Sequence, residues 1–274
     1  MTPALIIAGK EVRDSLRNRW IVGSTLLLAG LAFMLTVLGS APTGTLAAKP
    51  LAVTVVSLAS LTIFLIPLIA LLLSYDAIVG EAERGTMLLL LTYPVTRHQI
   101  IFGKFLGHCA ILAFATIVGY GAAGVAASLS GEADAESWRA FAGLLASSVM
   151  LGAVFVALAY AVSASVRERS TAAGIAIGLW LLFVVLYDLG MLGLLVAGAG
   201  GMTAEGFGYL LLLNPADVYR LFNLTAFEDV RGFSGMAGLS GEVRLPAGLL
   251  AGVLAAWAAV PLAVAALLFR RREL

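Results

Sequence analysis

The chain has 274 residues, of which 61% are hydrophobic and 12% charged, with a formal net charge of +1 and a mean hydropathy of +1.02. Soluble domains carry about a quarter charged residues, so this composition excludes one and indicates an integral membrane protein. Near-neutrality also excludes a nucleic-acid partner, which would need clustered cations, and a single cysteine, Cys109, excludes an internal disulfide and reads as a small buried hydrophobe.

Residues 3–20 predict an amphipathic helix. At 100° per residue Leu5, Val12, Leu16 and Trp20 share one narrow face, with Lys10, Asp14 and Arg17 opposite. Such a helix, basic on one side and ending on Trp, lies in the membrane interface and feeds a first span. The apolar run that follows, residues 21–38, is longer than a signal-peptide core of about 7–15 residues, so it is expected to be retained.

Apolar runs, charge-free except for Asp188 in the fifth, predict six spans, at about 21–39, 51–74, 105–129, 140–162, 171–197 and 247–269, each near the roughly 20 residues that cross a bilayer core. The expectation is one all-α transmembrane domain over residues 1–274. Of the 17 Lys and Arg, twelve fall in residues 1–20, 75–104, 163–170 and 270–274 and five in the opposite flanks. The excess assigns the first set, both termini included, to the cytoplasm.

Between the second and third spans, residues 75–104 form a polar, then apolar, then polar insert. Asp76, Glu81, Glu83 and Arg84 lead to Gly85, then to a short apolar turn, then to Pro94, Arg97, His98 and Lys104. An exposed hairpin of mixed charge with an apolar knob suits the docking of a soluble partner. The long outer segment, residues 198–246, is too polar to cross. In it Asn214 caps a helix beginning at Pro215, with Asp217 in the first turn, and Val218, Leu221, Phe222 and Thr225 recur at helical spacing. This helix is expected to rest on the outer membrane surface or on an extracytoplasmic partner, and the Gly-rich residues 232–241 to be a connector.

Catalytic chemistry finds little support. Gly103-Lys104 is followed by Phe105 where a phosphate-binding loop needs a hydroxyl, and no Gly stands five residues earlier. Tyr75-Asp76 and Tyr187-Asp188 lack the second element of an aspartyl intramembrane protease, and neither His98 nor His108 has a serine placed to make a nucleophile pair. The seven methionines are scattered, Met202 and Met236 among them, and the two histidines stand ten residues apart, so no metal site is expected on this chain. Asp188 is the one acid deep in a span. A group there is costly and faces a bundle interior or water, in a coupling role or tied to a neighbouring hydroxyl. The spacings Gly103/Gly107, Gly174/Gly178 and Gly248/Gly252 would permit close helix contact.

Glu81, Gly85-Thr86, Leu88 to Leu91, Thr92, Pro94, Arg97 and Gly103-Lys104 form a pattern of Glu-x-x-x-Gly-Thr, a Leu-rich turn, Thr-x-Pro-x-x-Arg and Gly-Lys. It resembles the ABC-2 type permeases of ATP-binding-cassette transporters, and the likeness extends to the six spans, the N-terminal helix and the long outer loop. Residues 10–20, 57–97 and 103–108 are similar to the branch serving maturation of the copper sites of nitrous oxide reductase. The resemblance implies the ABC-2 type (type V) permease fold, a homodimer in the bacterial inner membrane, two cytoplasmic ATPase subunits carrying ATP and Mg, and a periplasmic copper-handling partner. It makes residues 75–104 the coupling element. Glu81, Glu83 and Arg84 would then pair with the rim of the ATPase while Gly85, Leu88, Leu91, Thr92, Tyr93, Pro94 and Arg97 shape or fill the docking surface. Asn214, Pro215, Asp217, Tyr219, Arg220 and Phe222 would face the periplasmic partner. An ordinary exporter of a small sulfur-containing or lipid-like substrate, and a scaffold without energy coupling, are the alternatives.

Overall fold

The computed structural model describes residues 2–17, 19–39, 50–129, 135–196, 204–224 and 245–272. The Gly-rich residues 232–241, Thr225, Met202 and Met236 lie outside them. All regular structure among the described residues is helical: α1 (Pro3–Leu16), α2 (Arg19–Gly39), α3 (Pro50–Ser74), α4 (Val79–Glu83), α5 (Thr86–Leu91), α6 (Arg97–Leu129), α7 (Ala135–Ser165), α8 (Arg169–Leu181), a π-helical turn (Leu182–Leu186), α9 (Tyr187–Val196), α10 (Ala204–Leu211), α11 (Pro215–Leu224) and α12 (Ala247–Arg271). Long charge-free runs leave the backbone no partner in lipid but itself, and helices satisfy every amide within one segment.

Among the described residues five helices are long and apolar enough to cross a membrane: 54–83, 97–129, 135–165, 169–196 and 247–271. The first predicted span falls in α2, whose apolar stretch Val22–Thr36 is shorter than these five. Predicted boundaries move. The N-terminal helix stops at Leu16, with Arg19 and Trp20 already in α2, and α6 starts at Arg97 rather than 105. With 33 residues, α6 is about 50 Å long, which exceeds a hydrocarbon core of about 30 Å. The helix is thus longer than the core, and its Lys and Arg, Arg97 and Lys104, both lie in its first two turns.

The centre of the bundle is α7, packed by α3, α6, α11 and α12. Its buried face runs from Leu144 through Ser148, Leu151 and Phe155 to Tyr160. On the far side of α6 lie α1 and α2. The contact of α1 with α6 depends on two glycines. A Cβ at Gly103 would stand 2.6 Å from the Ala4 carbonyl oxygen, and one at Gly107 would stand 2.5 Å from the Cβ of Glu11. Only glycine admits so close an approach. The other two spacings play no such part within the chain, since Gly174, Gly178, Gly248 and Gly252 have open space at the Cβ position.

The buried face of α1 is Ile7 and Glu11, flanked by half-buried Ala4, Ala8 and Ser15. The face that packs on α6 is distinct from the expected apolar face, whose Leu5 and Leu16 are exposed, so the helix divides into a protein-facing side, an apolar side and a charged side.

Candidate functional site

After α3 the chain turns at Tyr75–Ile78 and enters α4, whose first amides are held from another span. The Ser163 hydroxyl of α7 accepts hydrogen bonds from the Ile78 and Val79 N–H groups, each at 3.0 Å. Gly85, at φ 72°, reverses the chain into α5 in the left-handed region that L side chains avoid. The Thr86 hydroxyl donates to the Glu81 carbonyl at 3.2 Å. At the far end Thr96 and Gln99 form a reciprocal cap on α6: the Thr96 N–H donates to Oε1 of Gln99 at 2.9 Å and the Gln99 N–H to the Thr96 hydroxyl at 3.3 Å. The connection is fixed at both ends, and α5 is turned so that Met87 is buried while Leu88, Leu89 and Tyr93 are 52%, 65% and 66% exposed.

Three ionic contacts brace this knob. Lys104 Nζ, in the second turn of α6, donates to Oε1 of Glu11 on α1 and to Oε1 of Glu81 on α4, both at 2.7 Å, and its side chain is only 3% exposed. Burial opposes the charge on Glu11, but the ammonium of Lys104 overrides it and holds that carboxyl below its ordinary range. Behind them His108 Nδ1 lies 2.7 Å from the Tyr160 hydroxyl. On the other side Arg169 donates from its guanidinium to Asp76 at 2.9 Å and from its backbone N–H to Glu83 at 2.8 Å. Arg97 donates to the carbonyls of Phe269, Arg270 and Arg272 at 2.7, 3.2 and 2.8 Å. These carbonyls lie at the C-terminus of α12, where a cation meets the negative end of the helix dipole; that of Phe269 also accepts from the Arg272 N–H at 3.4 Å.

Of the residues expected to dock an ATPase, Glu83, Arg84, Leu88, Thr92, Tyr93 and Pro94 are exposed, and Glu81, Gly85, Leu91 and Arg97 are half-buried. Two side chains turn inward instead of outward. Glu81 adds a second carboxylate to buried Lys104, and Arg97 caps the last carbonyls of α12. Sequence reasoning missed Lys104, Glu11, Asp76 and Arg169 as a frame. One signal was present: a lysine beside Gly103 and Gly107, where a neighbouring helix comes close.

On the outer side the 204–224 segment folds back into the bundle. The Oδ1 of Asn214 accepts from the Ala216 N–H at 3.0 Å, so Asn214 caps α11 as its position before Pro215 suggested. Its Nδ2 donates to Oδ2 of Asp217 and to the Phe183 carbonyl, both at 2.9 Å. Arg220 bridges Asp217 and Asp188, reaching Oδ2 of Asp188 at 2.7 Å. Burial, helped by the nearby Asp188 carboxylate and opposed by Arg220, pushes the Asp217 carboxyl up to about 7. Below this, Tyr219 and Asn223 bond to Ser148 and Ser147 of α7 at 3.1 Å, and the Trp257 indole donates to the Leu212 carbonyl at 3.1 Å.

This overturns the expected surface position of α11. Asn214, Pro215, Asp217 and Tyr219 are buried, and Arg220 and Phe222 are half-buried. The polar residues that suggested a wet face find partners on α7 and α9 instead. Asp188, expected to meet a hydroxyl or a pathway, faces the guanidinium of Arg220.

Residues 5–274 match the family described as ABC-2 family transporter protein. A protein of Stutzerimonas stutzeri named as a probable ABC transporter permease protein NosY is 48% identical over 268 residues, covering 97% of each chain. The protein of the same name from Pseudomonas aeruginosa is 48% identical over 270 residues, covering 98% of each. With the whole helical bundle inside the match, the chain belongs to the ABC-2 family of transporter membrane proteins.

Proposed function

We propose that this chain is the permease subunit of an ATP-binding-cassette complex that couples cytoplasmic ATP hydrolysis to a periplasmic partner during assembly of the copper sites of nitrous oxide reductase. Two copies form a homodimer in the inner membrane, each crossing six times with α2 as the first span, with both termini cytoplasmic. Each binds one ATPase subunit, which carries ATP and Mg, and copper resides on the periplasmic partner. The permease itself is not catalytic. The observation that carries this reading is the apolar knob of Leu88, Leu89 and Tyr93, exposed on a connection braced to α1, α6, α8 and α12. An exposed apolar cluster on a rigid mount suits a docking groove, and a rigid mount passes displacement into the spans rather than absorbing it.

The test is the purified complex with its cognate ATPase and periplasmic partner, comparing wild type with Leu88→Ser/Leu89→Ser/Tyr93→Ser and with Glu83→Ala/Arg84→Ala. ATPase co-purification, partner-stimulated ATP turnover and copper loading of the reductase fall together for the first variant, and turnover and loading fall for the second. Unchanged values in both would remove the coupling role from this hairpin. ATP-driven passage of a sulfur-containing or lipid-like solute into proteoliposomes that lack the periplasmic partner would replace this reading with the exporter.

A further inference from the structure

The helix pair α8–α9 crosses the membrane with a π-helical turn at Leu182–Leu186 in its middle. Such a turn shifts the hydrogen-bond register and is a point where a helix bends. Beyond it, α9 touches the described chain along one stripe only. Leu189, Leu192, Leu195 and Val196 are exposed, while Asp188 and, one turn on, buried Met191 face inward. On that stripe the bonds are few and polar. Tyr187 donates to the Leu210 carbonyl at 2.6 Å, Asn214 Nδ2 reaches the Phe183 carbonyl inside the π turn at 2.9 Å, and Arg220 grips Asp188 with two nitrogens, at 2.7 and 3.4 Å. By contrast α11 is packed on its other sides by α3, α7 and α12.

We propose that Arg220 is the positioning residue of an ionic latch that holds the outer half of this span against α11, with the π-helical turn as the hinge about which that half moves. The proposal rests on the reading of the chain as an ATP-driven lever. An acid such as Asp188 inside a span needs a counter-charge, and the bidentate guanidinium supplies one with fixed geometry. The same guanidinium also serves Asp217, so on release it keeps a partner on its own helix. The side chains of Arg220 and Asp188 remain 22% and 24% exposed, so the pair is not sealed inside the chain. A fully dry pair would be too costly to separate.

The test uses the complete complex with its ATPase, in nanodiscs, on a Cys109→Ala background carrying Met191→Cys, labelled by a membrane-impermeant maleimide. In the latched state labelling is slow, and trapping with ATP and vanadate accelerates it. Arg220→Met accelerates it at least tenfold without nucleotide, Arg220→Lys does so to a smaller extent, and the exchange Asp188→Arg/Arg220→Asp restores slow labelling. Labelling unchanged in Arg220→Met and Arg220→Lys would overturn the latch. An exchange variant that stays fast would overturn it as well. If Arg220→Met labels fast while nucleotide has no effect on the parent protein, the latch stands and the lever reading falls.

Discussion

Replacing Lys104 by Met removes the cation at the centre of the brace and leaves two carboxylates facing each other. Its Nζ lies 2.7 Å from both Glu11 and Glu81. Breaking a buried pair by deleting one partner costs about 3–5 kcal/mol, and pairs near a surface interact with about 4 kcal/mol at an effective dielectric of about 20. Glu11 and Glu81 keep 11% and 15% exposure, so water relieves part of the loss and the lower end, about 3 kcal/mol, applies. At about 2–4 °C per kcal/mol, the thermal midpoint of the detergent-solubilised protein should fall by about 6–12 °C, followed by intrinsic fluorescence at neutral pH. The triple variant Lys104→Met/Glu11→Met/Glu81→Met, which removes the lysine and both carboxylates it bridges, should recover most of the drop, since well-packed apolar replacements of buried ion clusters are often neutral. A midpoint unmoved in Lys104→Met, or a triple variant as unstable as the single, would refute the buried-brace argument. The Glu11 carboxyl is held below its ordinary value of 4.5. Its contribution is therefore present at neutral pH and is lost as the pH falls below that value.

Gly103→Ala should lower the midpoint, because its Cβ would stand 2.6 Å from the Ala4 carbonyl oxygen and 2.8 Å from the Ile7 Cβ and overpacking costs about 1–3 kcal/mol. Gly174→Ala has open space and should gain about 0.5–1 kcal/mol from helix propensity; equal effects in the same unfolding assay would contradict the packing described for α1. Gly85→Ala places a Cβ in the left-handed region and should cost about 1–2 kcal/mol, with Gly85→Asn milder, again read as midpoints. For Asp217, whose carboxyl is pushed up to about 7 from an ordinary 3.8, the folded chain holds a proton that the unfolded chain has released. Stability from this group is full below 3.8 and is lost as the pH rises through about 7. Midpoints measured from pH 5 to 8 should decline in wild type and flatten in Asp217→Asn; parallel profiles would show that another group titrates.

Which properties were legible from the sequence follows from what each depends on. Membrane character, the apolar helices and the exposed hairpin after the second predicted span are properties of consecutive residues: a charge-free run must satisfy its own amides, and Gly85 between two short helical stretches marks a reversal wherever the chain later packs. The Asn214 cap with Pro215 after it was equally local. The partners of the charges were not. Lys104 meets Glu11 across 93 residues of chain, Arg97 meets the end of α12 across 172, and Arg220 meets Asp188 only because α11 folds back beside the π-helical turn. Helical periodicity gave α1 an apolar face at Leu5 and Leu16, yet the face that packs is set by where Gly103 and Gly107 let α1 approach α6. It gave α11 a polar face suited to water, yet Tyr219 and Asn223 are buried because α7 offers them the hydroxyls of Ser148 and Ser147, and Asp217 because Asn214 and Arg220 beside it meet it there. Local sequence decides that a segment is a helix and which side is greasy. Only the packed bundle decides which polar side chains are drawn inside, because burying a charge or an amide is tolerable only where another element supplies its counterpart.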